Sequence, residues 1–252
     1  MPRWPFLWRT TPELVDPQLA YALWAPSYPP RPHNRLMEIE QATVLSLLPD
    51  VRGRIAMDAG CGSGRYLREL SLLGARAFGL DLSDAMLAGA SAGGRPLMRA
   101  SLCALPIHAT AVDVAVCGLA LGDVADLALA LSELARVLRP GGCVIYSVVH
   151  PAGQRAGWSR TFAAGGRVRA IATHWHSVDD HRRACEAVGL AITAWEEPIL
   201  AEAPQCPAVL VVRARSGEEQ QETRSSGGQK VGAPRGRPAV GRPARGREAA
   251  TK

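Results

Sequence analysis

Apolar and polar positions change period several times along this 252-residue chain, and each change marks an element. The run RIAMDAG at 54–60 reads as a buried strand. A glycine cluster follows, and then Tyr66, Leu67, Leu70 and Leu73 fall at helical spacing before Gly74 closes the helix as its C′ residue. The unit then repeats. ARAFGL at 75–80 leads as a second strand to Asp81, and Ser83 is placed to cap a helix carrying Met86, Leu87 and Ala90 as far as Gly93-Gly94. Further strands are predicted at 96–100, 112–117, 143–149, 190–196 and 208–213. Between them, Leu127, Leu131, Leu134 and Leu138 mark one helix face, which Arg139-Pro140-Gly141-Gly142 ends, and Ser177 caps a last helix that runs to Gly189. This alternation predicts an α/β fold: a doubly wound, mainly parallel seven-stranded sheet with helices on both faces. Such sheets bind ligands beyond the carboxyl ends of their strands, where the strand order reverses.

The two ends depart from this pattern. Nine prolines within residues 1–50 leave room only for short helices at 13–24 and 36–48, so this part reads as a helical lid or collar ahead of a domain spanning 51–215. Tyr21, Trp24 and Tyr28 form a stripe on that lid at i, i+3 and i+7, a pattern of core packing that also offers Tyr21 and Tyr28 to a substrate. From 216 to 252 there is no Leu, Ile or aromatic residue to offset the entropy of ordering, and a disordered basic tail is expected.

Charge changes the picture little. Lys and Arg total 29 against 23 Asp and Glu, a net +6, but the tail holds eight basic and four acidic residues, so the body is nearly balanced. The only lysines are Lys230 and Lys252, and the heavy use of Arg with Ala, Gly and Pro has the look of a coding bias. Six scattered cysteines without a CxxC pair read as reduced thiols, which predicts a cytoplasmic protein. The WPFLW run near the start is too short for a secretory signal, and the apolar stretch at 112–135 contains four acids, so neither export nor a membrane span is expected.

The candidate chemistry lies in Asp58-Ala59-Gly60-Cys61-Gly62-Ser63-Gly64, between a predicted strand and helix, where glycines let a ligand approach the backbone. The dinucleotide pattern G-x-G-x-x-G fails in both registers, and no G-x-x-x-x-G-K-[ST] loop exists for a nucleoside triphosphate. Asp81 ends the second strand 23 residues after Asp58, a place from which a carboxylate can accept both hydrogens of a ribose diol. A nucleoside bearing a cationic or zwitterionic group fits this set better than a pyrophosphate. MDAGCGSGR (57–65), GLDLS (79–83), VDVAVCGLALGDV (112–124) and LARVLRPGGCVIYS (134–147), taken in order, resemble the class I S-adenosylmethionine-dependent methyltransferases, in particular the small-molecule, type 11-like members.

The resemblance implies S-adenosyl-L-methionine as cofactor. It implies that Asp58, Gly60, Cys61, Gly62 and Gly64 hold the methionine end and Asp81 the ribose. Leu82 and Met86 would cover the adenine, Ser101 and the Leu102 amide would replace the family's acid at its amino group, and Cys117 and Leu119 would border the methyl donor. His150, in SVVHP, is the candidate base, and Arg155 and Trp158 are candidate substrate contacts. His174, His176, His181 and Cys185 match no common zinc spacing, so no metal is expected. The 20–49 stretch is similar to bacterial enzymes that esterify the malonyl carrier-protein thioester, which implies a small-molecule or carrier-bound acceptor methylated at oxygen. A rival reading is a nucleic-acid-associated protein. Pro234-Arg235-Gly236-Arg237-Pro238 matches an AT-hook core, but CGLA stands where a base-methylating tetrapeptide would, and a nucleic-acid partner is not expected. The sequence leaves the oligomeric state open.

Overall fold

The computed structural model describes residues 12–217. The expectations for residues 1–11 and for the tail beyond Gly217, its AT-hook-like string included, lie outside the described residues. Ten strands are described. The main sheet is built from β2 (Ile55–Ala59), β3 (Arg76–Asp81), β4 (Leu97–Arg99), β5 (Val112–Gly118), β6 (Leu138–Val149), β9 (Leu190–Glu196) and β10 (Val209–Ser216). Its order is β4-β3-β2-β5-β6-β10-β9. The first five strands run parallel to their neighbours, while β10 pairs antiparallel with both β6 and β9. The chain therefore moves outward from β2 to β4 and returns to place β5 beside β2. Asp58 of β2 stands level with Gly79 of β3 on one side and Val116 of β5 on the other, which makes β2 the switch point of the sheet.

The apolar runs form these strands because both faces are covered. On one face α5 (Leu127–Val137) and α7 (Val178–Ala187) enclose Met57, Leu80, Leu131, Leu134, Tyr146 and Leu210. On the other, Val44 of α2 (Arg35–Ser46) and Tyr66 and Leu70 of α3 (Arg65–Leu72) pack with Val114, Ile145 and Val211. The helix α4 (Asp84–Ala90) follows β3, and Ser83 caps it by accepting the Met86 N–H. Ser177 caps α7 in a reciprocal box with Asp180. Among the described residues no helix is long and apolar enough to cross a membrane.

Two segments differ from the sequence expectation. The predicted helix at 13–24 is split into β1 (Glu13–Val15) and α1 (Pro17–Trp24), because Asp16 accepts the Leu19 N–H at 3.0 Å and Pro17 presets the first helical turn. The stretch 151–176, to which the sequence pattern assigns no element, contains the short helix α6 (Ala152–Arg155) and the strands β7 (Thr161–Ala164) and β8 (Arg167–Ile171). Gly165 and Gly166, at φ +56° and +72°, supply the two left-handed residues of the β7–β8 hairpin. β1 joins β8 in parallel to complete a separate three-stranded sheet. Residues 12–50 thus pack as part of the fold: β1 extends this small sheet, and α2 lies against β6 and β10.

The lid is pinned by one buried carboxylate. Glu40 of α2 has no exposed surface. Its Oε1 accepts from the hydroxyls of Tyr66 at 2.8 Å and Ser147 at 2.6 Å, and its Oε2 accepts from the Arg65 guanidinium at 2.8 Å. Removing one partner of a buried pair strands the other charge. Glu40→Ala is expected to lower the unfolding free energy by about 3–5 kcal/mol, and Glu40→Gln by less. Urea denaturation of the two variants beside the parent measures both.

Candidate active site

A cavity of about 450 Å³ opens at the carboxyl ends of β2, β3 and β5, within the usual size of a small-molecule site. Its floor is the loop after β2. Gly60 and Gly62 have positive φ, and a Cβ on Gly60 would stand 2.6 Å from that of Ala120, so only glycine lets this loop pass. Cys61 is buried there, and burial first, then Asp58 and Asp81, push its thiol pKa up, so it is a packing group rather than a nucleophile. Gly118, at the end of β5, is restricted in the same way: an added Cβ would lie 2.2 Å from the Tyr66 ring. Leu119 follows at φ +60°, rare for a non-glycine residue, and its N–H donates to both the main-chain oxygen and Oγ of Ser147 at 3.0 Å. That strained turn brings Leu119 to the cavity wall.

Two carboxylates flank the floor. Asp58, 1% exposed, accepts the Leu67 N–H at 2.7 Å. Burial raises its pKa to about 7, against the opposing pull of that N–H and of Arg65. Asp81 accepts the Gly62 N–H at 2.8 Å and the Ser83 N–H at 2.9 Å; burial raises its pKa, and these two amides oppose the rise. Leu82, Met86, Ser101 and Leu102 line the adjoining side of the cavity, and the Ser101 hydroxyl accepts the Cys103 N–H at 3.1 Å.

The opposite wall comes from the lid. The Tyr21 and Tyr28 rings meet edge to face at 6.4 Å, Trp24 packs between Tyr21 and Phe162, and both tyrosines line the cavity. Tyr21 donates its hydroxyl to Asp123 Oδ2 at 3.0 Å, and burial first, then Asp123, holds that phenol well above its ordinary pKa. Arg160 pairs with Asp123 Oδ1 from behind the wall.

The structure thus brings together Asp58, Gly60, Cys61, Gly62, Asp81, Leu82, Met86, Ser101, Leu102, Leu119, Tyr21 and Tyr28 around one cavity. Five other candidates do not line it. Gly64 caps α3 in a left-handed conformation, where a Cβ would meet Ala90 at 3.3 Å. Cys117 points into the core with no exposed surface. His150 is buried at the end of β6, its Nδ1 accepting the Ala152 N–H at 3.1 Å and its Nε2 lying 3.8 Å from Glu197, and burial lowers its pKa. Arg155 is exposed on α6, and Trp158 packs over Gly153. His174, His176 and His181 border a void of about 10 Å³ behind Leu119, and among the described residues no three metal-ligating side chains converge.

Sequence reasoning missed Arg65, Tyr66, Asp123 and the Glu40 beneath them. Asp123 and Arg65 stand within the quoted motif strings, but their partners lie 25 to 102 residues away, which no local pattern encodes.

The lining fits S-adenosylmethionine on its own chemistry. Asp58 is placed for an ammonium, Arg65 for a carboxylate, Asp81 for a ribose diol, and the glycine floor for close backbone approach. Comparisons with known proteins point to the same cofactor. Residues 57–146 match a family model described as a methyltransferase domain. A malonyl-[acyl-carrier protein] O-methyltransferase from Salmonella typhimurium is 31% identical over 170 residues, covering 65% of this chain and 62% of that protein. The enzyme of the same name from Yersinia pestis is 31% identical over 132 residues, covering 52% and 44%. The chain therefore spans about half the length of these curated relatives. A crystal structure of an S-adenosylmethionine-dependent methyltransferase from Mesorhizobium loti, 29% identical, superposes with a TM-score of 0.61 over 70% of this chain and 97% of that one.

Because Asp58 titrates near 7 and only its ionised form attracts an ammonium, affinity for S-adenosylmethionine is expected to rise with pH through this range. Binding at pH 6 should be about tenfold weaker than at pH 8. In Asp58→Asn, calorimetry should find weak binding and a flat profile between these values.

Proposed function

We propose, for a chain that belongs to the class I S-adenosylmethionine-dependent methyltransferases, that it transfers the cofactor's methyl group to an oxygen of a small-molecule or carrier-bound acceptor. The observation that carries this reading is the cavity at the β2 switch point, which joins Asp58, Asp81 and the glycine floor to an aromatic wall from Tyr21 and Tyr28. When bound, the cofactor supplies an already activated methyl group, so the chain's work is alignment and exclusion of water.

The residues divide that work. Asp58 and Arg65 bind the two charges of the methionine end, Arg65 keeping its place through Glu40. Asp81, oriented by the Gly62 and Ser83 amides, takes the ribose hydroxyls. Leu82 and Met86 would give the adenine an apolar face, and the Ser101 hydroxyl and Leu102 amide would be available to its polar edge. Leu119, carried on its strained turn, presses the donor side from β5, and Tyr21 and Tyr28 close the acceptor side and keep it dry.

His150 takes no part in this mechanism, since it does not line the cavity. The relatives named for a carrier-bound malonyl group support a carrier-bound acceptor here as one form of the reading.

The experiment is calorimetry with S-adenosylmethionine, followed by mass spectrometry of acceptor mixtures for a cofactor-dependent gain of one methyl group. Asp81→Ala should weaken cofactor binding by about 10- to 100-fold, the worth of charge-assisted hydrogen bonds. Unchanged affinity in that variant, or no binding by the parent, rejects the assignment.

A further inference from the structure

The charges around the cavity are unevenly answered. Among the described residues four carboxylates line it, those of Asp16, Asp58, Asp81 and Asp123, and the one lining guanidinium is Arg65, already bound to buried Glu40. Asp58, Arg65 and Asp81 face the cofactor. Asp16 and Asp123 are left with Tyr21 and Tyr28 on the acceptor side.

The cation nearest the acceptor wall is spent. The Arg160 guanidinium gives Nη2 to Asp123 and Nε to Thr173 Oγ1 at 3.1 Å, and Nη1 lies 3.4 Å from the Tyr21 hydroxyl; Arg160 itself does not line the cavity. Among the described residues, then, no uncompensated cation faces the acceptor. A carboxylate acceptor would find no free cation among the described residues there, because Arg160 is taken by Asp123, and an unpaired charge is costly in a partly buried site. A neutral hydroxyl meets a carboxylate able to accept its hydrogen bond, and an aromatic ring meets the rings of Tyr21 and Tyr28 and the side chains of Leu119 and Val124.

Resting on the methyl-transfer reading, we propose that the acceptor is a neutral phenolic hydroxyl seated between Tyr21 and Tyr28, with Asp123 as the group that orients it and receives its proton. In the step, the phenol oxygen forms the new bond to the methyl carbon. The carbon–sulfur bond breaks with its electron pair remaining on sulfur, and the phenolic proton passes to the Asp123 carboxylate and then to water. Tyr21 is a positioning residue: its donated hydrogen bond fixes the carboxylate, as Arg160 does from the other side.

The test uses the full chain and three matched sets of compounds: simple phenols and naphthols, the corresponding aryl carboxylates with a malonyl thioester, and the corresponding aryl amines. Binding is read by calorimetry on protein loaded with S-adenosylhomocysteine, and transfer by mass spectrometry with S-adenosylmethionine. Phenols are expected to bind and to be methylated, and carboxylates to do neither. Asp123→Asn should lower phenol kcat/KM by at least about 100-fold, within the span of general-base effects, and should strengthen carboxylate binding by freeing Arg160 to pair with the acceptor. Its affinity for S-adenosylhomocysteine, which reports that the cavity is intact, should stay within twofold. Tyr21→Phe should cost phenol turnover less than Asp123→Asn does.

Methylation of the malonyl thioester or of any carboxylate in preference to every phenol would overturn the proposal while leaving the methyl-transfer reading in place. So would preference for amines, the absence of phenol binding, or full phenol turnover in Asp123→Asn. No affinity for S-adenosylmethionine in the parent would instead reject the methyl-transfer reading itself.

Discussion

The arrangement depends on a carboxylate that water cannot reach. Glu40 is sealed between α2, α3 and β6, and an ion in such a place is tolerated only when its oxygens are saturated with donors. Arg65 and Tyr66, neighbours on α3, and Ser147 of β6 provide them. The cost of leaving any of them unpaired ties the lid helix to the first helix after the cofactor loop and to the central strand β6. All three donors have a second duty. Arg65 and Tyr66 line the cavity, and the Tyr66 ring is what forbids a side chain at Gly118. Ser147 also receives the Leu119 N–H, so the strained turn of the donor wall is anchored to the same knot.

The elements visible in the sequence are those whose signal is local. The strands that became β2, β3 and β5, the helices capped by Ser83 and Ser177, and the glycine loop that follows Asp58 all follow from apolar period, caps and glycine placement. The small sheet does not. Its strands are three to five residues long, too short to show alternation, and its parallel pair joins Glu13–Val15 to Arg169–Ile171 across most of the chain. The same separation hid the functional pairs. Arg65 stands in the glycine motif with nothing beside it to reveal Glu40, and Asp123 stands in the 112–124 string with nothing beside it to reveal Tyr21 or Arg160.

His150 illustrates the reverse error. Its place after β6 puts its main chain at the end of the sheet where ligands bind, which is as far as topology can argue. The side chain turns instead toward the amide of Ala152 and the carboxylate of Glu197, below the short α6 turn started by Pro151. Position along a strand is legible in sequence. The direction a side chain takes at the end of that strand is decided by the connection that follows.

The acidic lining has a consequence beyond selecting its ligands. S-adenosylmethionine carries a sulfonium charge in addition to its ammonium and carboxylate, and the reaction removes that charge. A cavity in which carboxylates outnumber the one guanidinium, itself bound to Glu40, attracts the charged donor more than the neutral thioether left behind. The difference is greatest where water is excluded, as the aromatic wall of the lid arranges. The lining that leaves an anionic acceptor unpaired therefore also favours exchange of spent cofactor for fresh, and both effects come from one electrostatic field. Substituting a lysine on the acceptor side would accommodate a carboxylate, but it would weaken the hold on the sulfonium that the reaction requires.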